Sequence, residues 1–87
     1  VDYDQVREMI QADPRIGGHL KVPGPDGDLG FGGKCLSKDL VGFLGLAKSL
    51  NVDLSVFEAI WKKNLKIRKN HDWHEIKGAV SKKEVEI

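Results

Sequence analysis

The amino-acid sequence predicts a mostly α protein: a small domain of about three helices, with a long glycine- and proline-rich loop before the second helix. Apolar residues recur every three or four positions in three separate segments, which is the period of an amphipathic helix. Between the first two segments, residues 14–33 contain three prolines and seven glycines, which leaves little room for a regular element. A chain of 87 residues has the length of one domain.

The first helix is predicted over residues 3–12. Asp2 is a suitable N-cap, and Gln5 stands three residues later, as in a capping box. Asp13 and Pro14 are expected to end the helix, because the residue before a proline is disfavoured in the α conformation. The apolar side of this helix consists of Val6, Met9 and Ile10.

The second helix has the clearest helical pattern. Ser37 is predicted as its N-cap and Asn51 as its end. Its apolar stripe is wide, which indicates a helix at the centre of the core. The stripe comprises Leu40, Val41, Phe43, Leu44, Leu46, Ala47 and Leu50.

The third helix is predicted to start at Ser55, where Glu58 completes a capping box. Its apolar side is formed by Val56, Phe57, Ile60, Trp61 and Leu65. The basic residues at its C-terminal end are interpreted as a solvated face, and they suit the negative end of the helix dipole. They are Lys62, Lys63, Lys66, Arg68 and Lys69.

The domain is assigned to residues 1–69, and residues 70–87 to a C-terminal tail that is partly ordered. Trp73 and Ile76 are the expected anchors of this tail, whose last residues are highly charged. The chain opens at Val1, inside what reads as the first turn of a helix, so it is interpreted as a piece of a longer protein.

Charge and composition exclude several classes of partner. The net charge of +1 gives no reason to expect nucleic acid or an anionic membrane. The longest apolar run, residues 40–47, is too short to span a bilayer. One cysteine, Cys35, forms no internal disulfide, which favours a reducing compartment such as the cytoplasm.

The stretch from Pro23 to Asp39 carries the candidate chemistry, because a glycine-rich loop there delivers Cys35 to a helix N-terminus. The helix dipole and the flanking Lys34 and Lys38 favour the thiolate form of Cys35. The alternative is a small buried apolar cysteine. Asp39, expected in the first turn, has the alternative of complementing the dipole, and Lys38 that of a solvated charge or a phosphate contact.

Other templates fit this chain poorly. A phosphate-binding P-loop would need a glycine where Asp28 stands and a serine or threonine in place of Cys35. The sequence Asp26-Gly27-Asp28 is too short for a calcium loop, and no Rossmann glycine motif follows a strand. His71 and His74 lack further metal ligands, and a Cys35–His19 protease dyad has no supporting signature.

Residues 30–39, with the sequence GFGGKCLSKD, resemble the G-F-G-G-x-C-F-P-K-D signature of the UDP-glucose/GDP-mannose dehydrogenases. Residues 13–17, DPRIG, followed by His19, are similar to an element that precedes this signature in the family, and residues 23–25 fit the segment between them. Asn64 matches an asparagine that ends the family's central helical pattern. The resemblance covers about residues 2–68.

The resemblance implies the central domain of an enzyme that oxidises the C6 alcohol of a nucleotide sugar, most simply UDP-glucose, to a carboxylate with two NAD⁺. It implies Cys35 as the nucleophile that forms a thiohemiacetal and then a thioester, Asp39 as the residue that assists water, and Lys38 as a catalytic residue near the cofactor. NAD would be bound mainly by a domain absent from this chain. A homodimer through the helical domain is also implied. The substrate-binding residues would be Arg15, His19, Leu20, Phe31 and Gly32, with Arg15 reaching a substrate in the neighbouring subunit.

Three positions depart from the family signature. Leu36 and Ser37 replace phenylalanine and proline, and Lys34 stands where small residues are common. None of these changes removes the nucleophile. The alternatives are a non-catalytic helical dimerisation module, or the same chemistry on GDP-mannose or a UDP-N-acetylhexosamine. Reactivity of Cys35 distinguishes the module from the enzyme.

Overall fold

The computed structural model describes residues 1–80 and confirms the mostly α fold. Its helices are α1 (Tyr3–Gln11), α2 (Cys35–Ser49) and α3 (Ser55–Ile67), and two short 3₁₀ segments, Gly18–Leu20 and Asp72–Glu75, lie in the connections. Residues 1–80 contain no strand. Within the same range, each helix is too short or too polar to cross a bilayer.

Helix α1 forms where its apolar period and its cap predict it. The Asp2 carboxylate accepts a hydrogen bond from the backbone N–H of Asp4 at 2.9 Å, which confirms Asp2 as the N-cap. The predicted capping box is wrong, because the Gln5 side chain makes no hydrogen bond within residues 1–80 and Asp2 bonds a nearer N–H. None of the residues of α1 is buried.

Helix α2 begins earlier than predicted. Cys35 is its first residue, and Lys34 precedes it with helical backbone angles and no side-chain cap. Ser37 lies inside the first turn and is fully buried, so the prediction of Ser37 as the N-cap is wrong. The physical reason is that the loop before the helix is held from outside, at Gly33, and the chain enters the helix directly from there.

The C-terminal end of α2 is confirmed at Asn51, which adopts a left-handed backbone conformation with φ of 59°. The N–H of Val52 donates to the Ala47 carbonyl at 2.8 Å, and the N–H of Asn51 donates to the Lys48 carbonyl at 3.3 Å. These two bonds define a Schellman motif, which satisfies carbonyls that the helix end leaves unpaired.

Helix α3 begins at Ser55, as predicted, but without the predicted capping box. Ser55 is already the first helical residue, and the Asp53 carboxylate accepts its N–H at 2.9 Å. The side-chain acceptor at the start of α3 is therefore the Asp53 carboxylate and not the Ser55 hydroxyl, as the capping box had predicted. The proposed partner, Glu58, lies in the first turn, where its charge suits the helix dipole.

The core lies between α2, α3 and the segment that follows α3. Trp61 and Trp73 are its largest members, with ring centroids 5.1 Å apart and Trp73 fully buried. Val41, Leu44 and Val80 complete the buried cluster, and Phe31, Leu40, Leu54, Leu65 and Ala79 pack against it. Trp73 thus fixes the beginning of the segment predicted as a tail. The prediction for its charged end falls on residues 81–87, which lie outside the described range.

The apolar stripes of α2 and α3 are wider than the core that they cover. Val56 is 70% exposed, and the other side chains on this outer side are between two fifths and two thirds exposed. Phe43 and Phe57 meet edge to face there, with ring centroids 5.7 Å apart. The outer apolar face comprises Phe43, Leu46, Leu50, Val56, Phe57 and Ile60.

Candidate functional site

The glycine-rich loop before Cys35 is bound along its main chain by the C-terminal half of α3. The Asn64 side-chain amide donates to the Phe31 carbonyl at 2.9 Å and accepts the Phe31 N–H at 2.8 Å. One side chain therefore satisfies both polar groups of a single loop residue. Asn64 is buried, which leaves no water to compete for these bonds.

Arg68, one turn further along the chain, holds the next part of the loop. Its guanidinium donates to the Asp26 carboxylate at 2.5 Å, to the Leu29 carbonyl at 3.3 Å and to the Asn70 carbonyl at 2.8 Å. The side chain is only 1% exposed. Such a buried cation is tolerated because it is paired and hydrogen-bonded, and the Asp72 carboxylate, 3.7 Å away, adds a second negative charge.

Two glycines let the loop approach these side chains so closely. A Cβ atom added at Gly30 would overlap the Asn64 side-chain oxygen, and one added at Gly32 would overlap the Arg68 guanidinium. Gly30 also has a positive φ of 67°, a backbone conformation that is unfavourable for residues with a Cβ atom. Gly30 and Gly32 are therefore required for the close approach of the loop to Asn64 and Arg68.

Two aspartates complete the attachment of the loop. The Asp72 carboxylate accepts the Gly33 N–H at 2.9 Å, two residues before Cys35. Asp28 accepts the N–H groups of Lys69 and Asn70 at 3.1 and 2.8 Å, and so fixes the chain where it leaves α3.

Asp26 and Asp28 are both stabilised in their charged, carboxylate form. The hydrogen bond from Arg68 is the main cause that lowers the pKa of Asp26 below its usual value. The backbone N–H of Asn70 does the same for the pKa of Asp28. Both groups therefore stabilise the folded loop in their charged form.

Cys35 is a free, exposed cysteine at the first position of α2. Within residues 1–80, the backbone N–H groups of Cys35, Leu36 and Ser37 have no acceptor, and the first bonded one is that of Lys38, which donates to the Lys34 carbonyl at 3.1 Å. Free N–H groups at a helix start stabilise negative charge. The arrangement can therefore stabilise an oxyanion that forms beside Cys35.

Lys38 and Asp39 form an exposed ion pair, with 3.6 Å between the ammonium and the carboxylate. Because α2 starts at Cys35, Asp39 lies beyond the first turn, and the prediction that placed it there is wrong. An ion pair on the surface is weak and breaks readily in favour of another partner. Both side chains therefore remain accessible to a ligand.

An open cleft of about 830 Å³ lies beside the loop. Three of the five predicted substrate-binding residues line it, namely His19, Phe31 and Gly32. Leu36, which directly follows Cys35, lines it too, and the buried Arg68 closes part of its wall. The structure thus brings three of the predicted site residues together around a cleft of ligand size, while Cys35, Lys38 and Asp39 lie outside its lining.

The remaining two predicted substrate-binding residues lie apart from the lining of this cleft. Arg15 is 86% exposed and forms a double hydrogen bond with the Asp13 carboxylate, at 3.0 and 2.7 Å. This bond lowers the pKa of Asp13 and raises that of Arg15. Leu20 offers its carbonyl to the Tyr3 hydroxyl, so its backbone is tied to α1.

The interpretation of Arg68 as part of a solvated basic face is wrong, since its side chain is buried among aspartates. The functional importance of Asp72 for the loop was also missed. The spacing of four positions between Asn64, Arg68 and Asp72 gave no helical signal, because α3 ends at Ile67 and Arg68 has extended backbone angles. Periodicity alone does not show which polar side of a helix is covered by a loop.

Comparison with known proteins gave one match. The family model described as the central domain of the UDP-glucose/GDP-mannose dehydrogenase family matches residues 1–66. The matched range contains α1, α2, the glycine-rich loop, Cys35 and nearly all of α3. Comparisons with curated proteins and with solved structures gave no match.

Proposed function

Because the chain belongs to the UDP-glucose/GDP-mannose dehydrogenase family, as the central domain, we propose that it carries the nucleophile of an NAD-dependent nucleotide-sugar 6-dehydrogenase. UDP-glucose is the proposed substrate and UDP-glucuronate the product. The observation that carries the proposal is the exposed thiol of Cys35. It lies at the first position of α2, directly before Leu36, which lines the cleft.

Cys35 acts on the aldehyde that the first oxidation produces. Its thiolate attacks the C6 carbonyl carbon, a carbon–sulfur bond forms, and the carbonyl electron pair moves to oxygen to give a thiohemiacetal. Loss of hydride from the same carbon gives a thioester. Water then adds to that carbon, the carbon–sulfur bond breaks, and the carboxylate leaves while Cys35 is regenerated.

Asp39 and Lys38 would serve the last of these steps. The exposed Asp39 carboxylate is suited to accept a proton from the attacking water, and Lys38, its ion-pair partner, is suited to stabilise the developing negative charge. The Lys38 ammonium also fits a contact to a dinucleotide, since only one of its donors is used within residues 1–80. NAD⁺ supplies the acceptor for the two hydrides and would be held mainly by another domain.

The cleft is the proposed place of the sugar. Gly32 and Phe31 contribute to its wall from the glycine-rich loop, and His19 contributes a polar side chain from the 3₁₀ segment Gly18–Leu20. The full exposure of Arg15 supports its proposed contact to a substrate bound by the neighbouring subunit. The free thiol fits the proposed cytoplasmic location.

We further propose that the domain forms a homodimer through the outer apolar face of α2 and α3. Six exposed apolar side chains on two packed helices, two of them in direct contact, are typical of an interaction site. A groove of about 530 Å³ on the same side of α3, lined by Val56, Ala59, Ile60 and Ile67, offers a place for apolar side chains of a second copy.

The oligomeric state tests this second proposal. Sedimentation equilibrium should show a dimer for the unchanged chain and a monomer for Phe57→Glu, which puts a charge into the exposed aromatic pair. Lys62→Glu, on the exposed part of the same helix, is the matched control and should remain a dimer. A monomer at every concentration for the unchanged chain would contradict the proposal.

The enzymatic proposal is tested by counting electrons in the enzyme that contains this domain. With UDP-glucose and excess NAD⁺, we expect two NADH per sugar oxidised. Cys35→Ser should block the reaction before the acid is released. Repeating the assay with GDP-mannose and a UDP-N-acetylhexosamine identifies the substrate. If folded protein forms NADH with none of these sugars, the dehydrogenase proposal fails, and a helical dimerisation module is the better account.

A further inference from the structure

We propose that Asn64, Arg68 and Asp72 are positioning residues for Cys35, which act through the main chain of residues 29–33. This inference rests on the proposed role of Cys35. Arg68 and Asp72 also form part of the cleft wall and Asn64 does not, but all three are assigned here for their bonds to the loop. They stand four positions apart, the first in α3, the second directly after it and the third in the 3₁₀ segment Asp72–Glu75.

The three side chains bind successive parts of the loop. Arg68 donates to the Leu29 carbonyl, Asn64 bonds both polar groups of Phe31, and Asp72 accepts the Gly33 N–H. Every one of these bonds joins positions more than thirty residues apart in sequence. The loop itself supplies few local bonds in this stretch, so its course toward Cys35 is set mainly by this triad.

The triad acts close to the nucleophile. Gly33 is two residues before Cys35, and Lys34, the one residue between them, already has helical backbone angles. The bond to Asp72 therefore fixes the point from which the first turn of α2 begins. Without it, the first turn loses its outer attachment and frays, and the free N–H groups beside Cys35 no longer keep their places.

The expected consequence is a less reactive thiol. Cys35 is already exposed, so a looser loop gains little in access to a small reagent. What it loses is the fixed position of the free N–H groups that stabilise negative charge beside the sulfur. Variants of the triad should therefore alkylate more slowly at neutral pH.

The test uses alkylation of Cys35 by iodoacetamide in the 87-residue chain, which needs no substrate and no cofactor because Cys35 is its one cysteine. Asp72→Ala should slow alkylation at neutral pH by about fivefold or more. Asp72→Asn keeps an oxygen that accepts the Gly33 N–H and should restore most of the rate. Asn64→Ala should resemble Asp72→Ala.

Two measurements separate positioning from general stability. Circular dichroism must show that each variant is folded at the assay temperature. Val80→Ala removes buried side-chain volume from the core but removes none of the hydrogen bonds to the loop, and should lower the melting temperature while leaving the alkylation rate unchanged.

The proposal is overturned if Asp72→Ala and Asn64→Ala, folded by circular dichroism, alkylate at the rate of the unchanged chain. It is also overturned if Val80→Ala slows alkylation as much as they do, or if Asp72→Asn behaves like Asp72→Ala. Should the alkylation result hold while no nucleotide sugar is oxidised, the positioning of Cys35 stands and the proposed enzymatic function fails alone.

Discussion

Ser37 buries a hydroxyl group that has no hydrogen-bond partner within residues 1–80. It lies inside the first turn of α2, where the sequence pattern predicted a cap. A buried hydroxyl without a partner costs free energy, because it has left water and gained no bond in return. At this position the family signature has a proline, which carries no such group.

We therefore expect Ser37→Ala to stabilise the protein by about 1 kcal/mol. Urea unfolding followed by tryptophan fluorescence measures the change, since Trp61 and Trp73 are both buried. Ser49→Ala is the matched control in the same helix, because the Ser49 hydroxyl is exposed and donates to the Leu46 carbonyl at 2.7 Å. It should be neutral or slightly destabilising, and a loss of stability in Ser37→Ala would contradict the reasoning.

Substitutions at Gly30 and Gly27 distinguish the cost of backbone strain from the cost of a steric overlap. Both have positive φ, of 67° and 79°, but only at Gly30 would an added Cβ meet another group, the Asn64 side chain. Gly27→Ala should cost about 1 kcal/mol from strain alone. Gly30→Ala should cost about 3 kcal/mol, because it also breaks the Asn64 bonds to Phe31. Thermal unfolding of the two variants, compared side by side, would show equal losses if the contact with Asn64 were unimportant.

At the scale of elements, the end of α2 depends on the left-handed conformation of Asn51. The Schellman bonds of Asn51 and Val52 require it, and asparagine tolerates it better than most residues. Asn51→Ala should therefore destabilise the protein by about 1 kcal/mol. Asn51→Gly keeps the conformation accessible and should be at least as stable as the unchanged chain. The melting temperatures, measured by circular dichroism, should rank glycine above alanine; the reverse order would argue against the motif.

The existence of each helix was predictable, and so was the first residue of α3, whereas the start of α2 and the capping groups of α2 and α3 were not. The apolar period reports which segments are helical, and it lies in the local sequence. The cap of α2 is decided by the bond between Gly33 and Asp72, whose partners are 39 positions apart. A local pattern such as a serine before an apolar run carries no information about such a partner.

The same distinction applies to the site. Cys35 could be singled out from its glycine-rich surroundings, and the order of motif residues indicated the family that the match then showed. The role of Arg68 could not be predicted, because a lysine- and arginine-rich helix end has the same pattern whether its cations face water or a loop. Only the fold brings Asp26 and Asp72 to it.

For the molecule as a whole, the carboxylates that hold the loop make stability depend on pH. The pKa values of Asp26 and Asp28 are lower in the folded protein than their usual value of 3.8, through hydrogen bonds from Arg68 and from the backbone of Asn70. The folded state therefore binds fewer protons than the unfolded state in this range. Their stabilising contribution is complete above pH 3.8 and is lost as the pH falls through the lowered values.

We expect the free energy of unfolding, measured in urea at a series of pH values, to fall below about pH 4. Asp28→Asn removes one of the two groups, and should be less stable at neutral pH and show a shallower decline in acid. Asp53→Asn is the control, since Asp53 lies in the loop between α2 and α3, far in sequence from the glycine-rich segment. A decline in acid that Asp28→Asn leaves unchanged would assign the pH dependence to other groups.

The side chains that hold the loop bind its main chain, and this determines which loop positions can change during evolution. Asn64 and Asp72 bind peptide groups, which every position carries, and Arg68 binds a peptide carbonyl at Leu29 in the same way. Such bonds prescribe glycine at positions 30 and 32, and the core holds the side chain of Phe31 between them. Variation in the wall of the cleft is therefore left to exposed lining residues such as Lys21 and Leu36, whose side chains take no part in these bonds, so the wall can change while the loop keeps its course toward Cys35.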